Sequence, residues 1–225
     1  MPLLGLAALA CAVLAIASAP WALGQPWLNL VFKPLATVAI IAHAWGRGQD
    51  RPSVRRWVLA GLVLSLAGDI ALLWPQQGFL PGLLSFLLAH AAYLVAFTRE
   101  RRLAARAAPF VAYALVAGVV LAQLWPGVPA ALRVPVAVYV VFLAAMAAQA
   151  AVLWRCGSPR GASLALGGAL FLLSDALLAT NRFAVPLPLS GLWILGTYWS
   201  AQWLIASWLS PPAAVPPHMP LKSPV

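Results

Sequence analysis

The sequence is poor in charged residues, and above all in acidic ones. Only 8% of its 225 residues are charged and only four are Asp or Glu, whereas 64% are hydrophobic and the mean hydropathy is +0.92. So little polar surface cannot cover a soluble globule of this size, which excludes an ordinary soluble domain and predicts a lipid-facing protein. The net charge of +10 comes mainly from arginines in short loops, which is typical of membrane topology control and argues against nucleic-acid binding.

Cysteine is almost absent as well. The two cysteines, Cys11 and Cys156, are far apart in sequence, and neither forms a close-spaced pair with the other or with a histidine. This spacing excludes a disulfide framework and gives no metal-binding pattern, so both are interpreted as small apolar packing residues. Since the sequence also lacks a cluster of His, Cys and carboxylate ligands, we expect neither a metal nor another cofactor.

Long apolar runs occupy most of the chain. A membrane-spanning helix needs about 20 mostly apolar residues, and eight runs have roughly this length: 3–19, 29–45, 57–74, 79–98, 107–125, 134–154, 161–180 and 189–208. Tryptophans at six of their ends resemble an interfacial aromatic belt. They are Trp45, Trp57, Trp74, Trp125, Trp154 and Trp208. The prediction is an all-α polytopic membrane protein, with one domain of about eight helices over 1–210 and a proline-rich, disordered cytoplasmic tail over 211–225.

Arginines collect in alternate loops. They follow the second, fourth and sixth runs, at Arg47, Arg51, Arg55, Arg56, Arg99, Arg101, Arg102, Arg106, Arg155 and Arg160. The other loops hold only Arg133 and Arg182. Because cytoplasmic loops are enriched in Lys and Arg, both termini are predicted to be cytoplasmic. The Ala/Arg-rich composition suggests a bacterial chain, and hence the inner membrane.

Two of the four acids lie inside apolar runs, in matching surroundings. Asp69 is followed by Ile-Ala-Leu and Asp175 by Ala-Leu-Leu, whereas Asp50 and Glu100 lie in arginine-rich loops, where solvated ion pairs explain them. An ionisable group at membrane depth costs about 3 kcal/mol or more and is kept mainly where it pairs or has a function. Counted from the ends of outward-running helices, both intramembrane aspartates are predicted at the same depth, about five residues from the outer end.

The match around these aspartates suggests an internal repeat. Aligning Asp69 with Asp175 superposes the third and seventh runs and places Gly61 opposite Gly167. Two parallel four-helix halves, related by an axis along the membrane normal, would bring the two aspartates together. Sequence rich in Ala and Leu also produces such matches by chance, so the repeat is one of two interpretations.

Other polar side chains lie at helical spacing near the same depth. Lys33 lies near the outer end of the second run and is followed by Pro34, which frees backbone carbonyls. The remaining polar residues form pairs on one helix face or cap the outer end of the seventh run. They are His90 with Tyr93, Tyr198 with Gln202, and Asn181 with Arg182.

Each of these residues also has a purely structural interpretation. Lys33 could extend to the outer headgroups, and Arg182 could anchor the helix there. His90 could form an interhelical hydrogen bond, while Tyr93 and Tyr198 could serve only in packing.

Taken in order along the chain, these residues resemble the YhhN-like lysoplasmalogenase family of integral membrane hydrolases. The resemblance rests on Lys33-Pro34-Leu35, Gly68-Asp69 with Leu72, His90 with Tyr93, Gly168-Ala169-Leu170-Phe171 running into Ser174-Asp175 with Leu178, and Tyr198 with Ala201-Gln202. It implies an eight-helix enzyme in contact with membrane lipids. Such an enzyme cleaves the vinyl ether bond of an alkenyl lysophospholipid to a fatty aldehyde and a glycerophospho-alcohol. The resemblance makes Asp69 and Asp175 catalytic and assigns the other polar residues to substrate binding.

The implied reaction suits a pair of carboxyl groups. A vinyl ether is hydrolysed by protonation of the carbon β to oxygen, and water then captures the oxocarbenium ion as a hemiacetal. Two carboxyls in one poorly solvated site cannot both ionise cheaply, so one keeps its proton and the other stays charged. Glycoside hydrolysis uses two carboxyls in the same way, since one protonates the substrate and the other stabilises the cation or activates water. The sequence leaves open which aspartate is the acid.

Two other functions fit the same residues. A proton-coupled transporter of lipids or small molecules would also keep paired intramembrane aspartates and a lysine, in a fold of two repeated halves. A non-catalytic lipid-binding membrane protein is the other alternative. Turnover of purified lipid in detergent separates an enzyme from both alternatives.

Overall fold

The computed structural model describes residues 2–211, and eight α-helices make up most of this part of the chain. They are α1 (Pro2–Ala17), α2 (Pro26–Trp45), α3 (Pro52–Ala71), α4 (Phe79–Glu100), α5 (Ala107–Leu124), α6 (Arg133–Arg155), α7 (Gly161–Phe183) and α8 (Ser190–Trp208). Each predicted apolar run forms one helix, which confirms the all-α fold class. The predicted disordered tail lies, from residue 212 onward, outside the described residues.

Five of the eight helices, α2 and α4 to α7, are long and apolar enough to cross a bilayer. Helix α1 has only 16 residues, and α3 and α8 contain polar side chains that are described with the site below. The composition and these apolar helices together indicate an integral membrane protein. A membrane crossing by α1, α3 and α8 stays a prediction.

The helix contacts follow the same pattern in the two halves of the chain. Within each half, consecutive helices pack against each other, and the halves are joined where α2 packs on α8, α4 packs on α6 and α1 packs on α8. The second helix of each half therefore contacts the fourth helix of the other half, as the proposed repeat requires. Gly61 lies where α3 meets α4, since a β-carbon there would overlap the ring of Tyr93. Gly167 has the matching place between α7 and α8, against Ala201.

The two aspartates do not lie at the predicted distance of about five residues from their helix ends. Asp69 lies two residues before the end of α3 at Ala71, whereas Asp175 lies eight residues before the end of α7 at Phe183. Helix α3 ends early because the chain turns through Pro75, and the turn is closed by the Gly78 amide donating to the Trp74 carbonyl at 2.7 Å. Helix α7 meets no proline until residue 186, so it continues further.

The aromatic-belt prediction fails at one tryptophan. Trp45, Trp74 and Trp154 are each more than half exposed, as expected of side chains at a membrane interface. Trp208, in contrast, is 1% exposed. It packs edge-on against Phe97 and lies under the Arg51 guanidinium, at 4.9 Å from its ring centroid, so it belongs to the core.

Basic loops meet at one end of the bundle. The Arg47 Nε and the Arg160 guanidinium both donate to the Leu209 carbonyl at 3.0 Å, and Arg51 forms a 3.0 Å ion pair with Glu100. Burial, followed by the positive charge of Arg160, lowers the pKa of Arg47. These contacts fix the end of α8 and place a concentrated positive charge at this end of the molecule.

Candidate active site

A polar cavity of about 390 Å³ lies toward the other end of the bundle. Helices α2, α3, α4, α7 and α8 and the turn after α3 form its walls, and both intramembrane aspartates line it. Six of the nine predicted site residues are among its lining residues: Lys33, Asp69, Asp175, Asn181, Arg182 and Tyr198. The structure thus brings together residues that are up to 165 positions apart in the sequence.

Asp69 accepts hydrogen bonds from two hydroxyl groups. The Thr37 hydroxyl on α2 donates to its Oδ2 at 2.6 Å, and the Tyr198 hydroxyl on α8 donates to the same atom at 2.7 Å. The Lys33 ammonium lies close enough to attract this carboxylate electrostatically, and both side chains are buried. Two donors and a nearby cation all stabilise the ionised carboxylate. Asp69 is therefore suited to remain charged.

A chain of hydrogen bonds behind the cavity holds Tyr198 in place. The Gln202 side-chain amide donates to the Tyr198 hydroxyl at 3.2 Å, and the Tyr93 hydroxyl donates to Gln202 Oε1 at 2.6 Å. On the other side, the Trp199 indole donates to Thr37 at 3.2 Å. Tyr93 and Gln202, predicted to bind substrate, are therefore arranged to position the partners of Asp69. Tyr198 itself lines the cavity.

Asp175 has different surroundings. The Tyr139 hydroxyl on α6 donates to its Oδ2 at 2.6 Å, and His90 Nε2 on α4 lies 3.8 Å from the same oxygen, too far for a hydrogen bond. The His90 ring is fully buried, with centroids 5.1 Å from Tyr139 and 4.6 Å from Phe171. Asp175 borders the apolar slot, and in the described part of the chain it accepts a hydrogen bond from Tyr139 alone, so the neutral carboxylic acid is the favoured form. The predicted substrate-binding residue His90 lies behind Asp175.

Three residues that line the cavity, Asn181, Arg182 and Ser174, also contact neighbouring loops and helices. The Asn181 side-chain oxygen accepts the Leu187 amide at 2.9 Å, which fixes the loop between α7 and α8. The Arg182 guanidinium lies 5.0 Å from the Phe79 ring centroid. Both residues belong to the last turn of α7, rather than capping it as predicted, because the helix extends to Phe183. Ser174 donates to the Ile194 carbonyl at 3.0 Å and so ties α7 to α8.

Two partners of the aspartates, Thr37 and Tyr139, were absent from the predicted site. Thr37 lies four residues after Lys33 on the same helix face, so helical spacing could have found it. Tyr139 is 106 residues after Lys33, which is the same offset that relates Asp175 to Asp69. The repeat itself was therefore the signal for Tyr139.

An apolar slot continues from the polar cavity. The slot holds about 80 Å³ and is lined mainly by α4 to α7, including Ala117 and Leu121 of α5. Slot and cavity share Phe79, Phe86 and Asp175 in their walls. The carboxyl group of Asp175 thus stands at the junction between a polar space and one shaped for hydrocarbon.

Comparison with known proteins identifies the family. A sequence profile described as the YhhN family matches residues 28–209, which includes nearly all of α2 and the whole of α3 to α8. The chain belongs to the YhhN family.

Several members of this family have names that state an activity. Human lysoplasmalogenase TMEM86A is 35% identical over 189 residues, which cover 80% of this chain and 77% of the human protein. Pig lysoplasmalogenase TMEM86B is 36% identical over 188 residues, covering 81% and 76%. The lysoplasmalogenase of Mycobacterium tuberculosis is 31% identical over 195 residues, covering 81% and 69%. No solved structure gives a significant match.

Proposed function

We propose that this protein is a membrane-embedded lysoplasmalogenase, an ether hydrolase that acts on alkenyl lysophospholipids. Relatives that are identical to it at about a third of the aligned positions bear this name. The observation that carries the proposal is the position of Asp175, which lines both the polar cavity and the apolar slot. A lysolipid whose chain occupies the slot presents the first carbons of that chain, where the vinyl ether lies, to this carboxyl group.

We infer the roles of the two aspartates in the reaction from their surroundings. Asp175, the neutral acid, transfers its proton to the carbon β to the ether oxygen, and the double-bond electrons form the new C–H bond. The resulting oxocarbenium ion is stabilised by the charged Asp69, which also accepts a proton from the attacking water. Breakdown of the hemiacetal releases aldehyde and glycerophospho-alcohol, and the proton on Asp69 returns through water to Asp175. No proton is gained or lost over the cycle.

The remaining polar residues support these two groups. Tyr139 and His90 position Asp175, while Thr37 and Tyr198 hold Asp69 in its charged form. Tyr93 and Gln202 fix Tyr198 through the hydrogen-bond chain behind the cavity. Lys33, Asn181 and Arg182 line the part of the cavity that receives the headgroup.

The source of the hydrogen atom in the new C–H bond tests the mechanism directly. Purified protein in detergent, given alkenyl and acyl lysophospholipids side by side in heavy water, should convert only the alkenyl lipid. The aldehyde should carry one deuterium at its second carbon, detected by mass spectrometry, because Asp175 exchanges its proton with solvent before each transfer. Controls incubate the unlabelled aldehyde in heavy water and the labelled aldehyde in light water. Aldehyde without this deuterium would contradict carbon protonation, and intact lipid would favour transport or simple lipid binding.

The same proposal places the chain in the bacterial inner membrane with both termini in the cytoplasm, so that the site opens toward the outer leaflet. Single cysteines are introduced into a background in which Cys11 and Cys156 are replaced by alanine. Cysteines at Gln77 and Ala131, both exposed, should react with an impermeant maleimide in intact cells. Cysteines at Gln49 and Ser158 should react only after permeabilisation. The reverse pattern would place the site at the cytoplasmic side.

A further inference from the structure

The first turn of α8 forms part of the cavity wall. Ser190 and Gly191 begin this 19-residue helix, and both line the polar cavity. They also line a second cavity of about 630 Å³, which lies between the α1–α2 loop, the turn after α3 and α8. The amide groups at a helix N-terminus bear partial positive charge and point away from the helix, so they attract anions. The two cavities adjoin each other at this helix end.

Lys33 provides an independent indication of an anion at this place. Its side chain is only 7% exposed and lines the same cavity as Ser190 and Gly191. Within residues 2–211 its ammonium group forms neither a hydrogen bond nor an ion pair within 4.0 Å, although it interacts electrostatically with Asp69. Because a buried ammonium without direct partners is costly, a second negative group in this cavity would stabilise it.

Arg182 adds a second side-chain cation to the cavity. Its guanidinium lies 5.0 Å from the Phe79 ring centroid. A guanidinium that lies over an aromatic ring keeps its N–H edges free for a phosphate, to which it can donate two parallel hydrogen bonds. The helix terminus, Lys33 and Arg182 therefore surround one space with positive charge.

We propose that the phosphodiester of the lysolipid binds at the N-terminus of α8, between Lys33 and Arg182. This inference rests on the proposed function. It adds a binding site for the phosphate, which fixes the position of the lysolipid along the cavity. With the phosphate at α8 and the hydrocarbon chain in the slot, the vinyl ether lies between them, at Asp175. The first turn of α8 would then select phospholipids over neutral glycerol ethers.

Gly191 offers a sharp test because a β-carbon there meets no atom within 4 Å. Gly191→Asp puts a carboxylate where the phosphate would bind, while a negative group at this helix end favours the helix itself. Gly191→Asn is the matched control, with the same shape and no charge. The measured quantity is the ratio of kcat/KM for alkenyl glycerophosphoethanolamine to kcat/KM for alkenylglycerol, which lacks phosphate. Gly191→Asp should lower this ratio by about tenfold or more, because the new carboxylate repels the phosphate and has no such repulsion with the neutral alkenylglycerol.

A binding measurement separates this inference from the proposed function. The ligand is the saturated alkyl lysophospholipid, which has no vinyl ether to hydrolyse. Its Kd is measured by calorimetry in detergent for the wild-type protein, Gly191→Asp and Gly191→Asn. Gly191→Asp should raise this Kd by about tenfold, and Gly191→Asn by much less. This result would support the phosphate site even if the wild-type protein released no aldehyde, whereas equal Kd values for the Asp and Asn variants would overturn it. Displacement of the lipid by inorganic phosphate at equal concentration would also overturn it, since the site would then serve free phosphate.

Discussion

Asp175→Asn is expected to lower aldehyde release by about a thousandfold or more, because removal of a general acid typically costs two to four orders of magnitude. The amide occupies the same space and can still accept the Tyr139 hydroxyl, but it has no proton of suitable acidity to give to carbon. Asp69→Asn should have a similar effect, since it removes the negative charge that faces the oxocarbenium ion. Initial rates of aldehyde formation by the purified variants in detergent measure both losses.

The double variant shows whether the two carboxyls act as one unit. If each is needed for the same step, Asp69→Asn combined with Asp175→Asn should be no slower than the slower single variant. Asp50→Asn is the control, because this acid is 55% exposed in a basic loop at the other end of the bundle. Partial losses that add in the double variant, together with a lower unfolding temperature for each variant, would instead show two independent structural roles.

The second large effect is expected from closing the apolar slot. Ala117 of α5 is 7% exposed and lines the slot. Ala117→Phe fills part of the slot through which a long alkenyl chain would pass. We therefore expect kcat/KM for chains of 16 or 18 carbons to fall by about tenfold, while shorter chains are affected less. A series of alkenyl lysophospholipids that differ only in chain length measures this change.

Ala122→Phe is the matched control for the slot, since Ala122 lies on the same helix, is exposed and does not line the slot. It introduces the same bulk toward lipid and should leave the order of chain lengths unchanged. A uniform loss across all chain lengths in Ala117→Phe would indicate a displaced helix α5. Equal chain-length profiles in the two variants would place the hydrocarbon chain somewhere other than the slot.

Hydropathy and the placement of charge were sufficient to predict the helices and the location of the two acids in one site. The apolar runs are long and their loops short, so that each run could form only one helix. Polar side chains are rare in such helices, and they avoid lipid by clustering in the interior of the bundle. This reasoning indicated four residues that line the cavity: Lys33, Asn181, Arg182 and Tyr198.

Details that depend on tertiary packing were not predictable in this way. Trp208 is indistinguishable in sequence from an interfacial tryptophan, and only the contacts of α8 with Phe97 and Arg51 bury it. The sequence indicates that Tyr93 and Gln202 lie near the candidate site. It does not indicate that they lie behind Tyr198, where they position this side chain. The unequal ends of α3 and α7 arise from turn geometry, which hydropathy does not report.

Each aspartate contacts the second helix of its own half and the fourth helix of the other half. Asp69 accepts hydrogen bonds from α2 and α8. Asp175 accepts a hydrogen bond from α6 and lies next to His90 of α4. A four-helix chain that paired with a copy of itself would build two such carboxyls, identical and equally acidic. Lys33 and Tyr139 occupy corresponding positions in this chain, and one brings a charge where the other brings a hydroxyl. A single polypeptide that contains both halves allows this difference, and in the proposed mechanism the difference makes one carboxyl the proton donor and the other the acceptor.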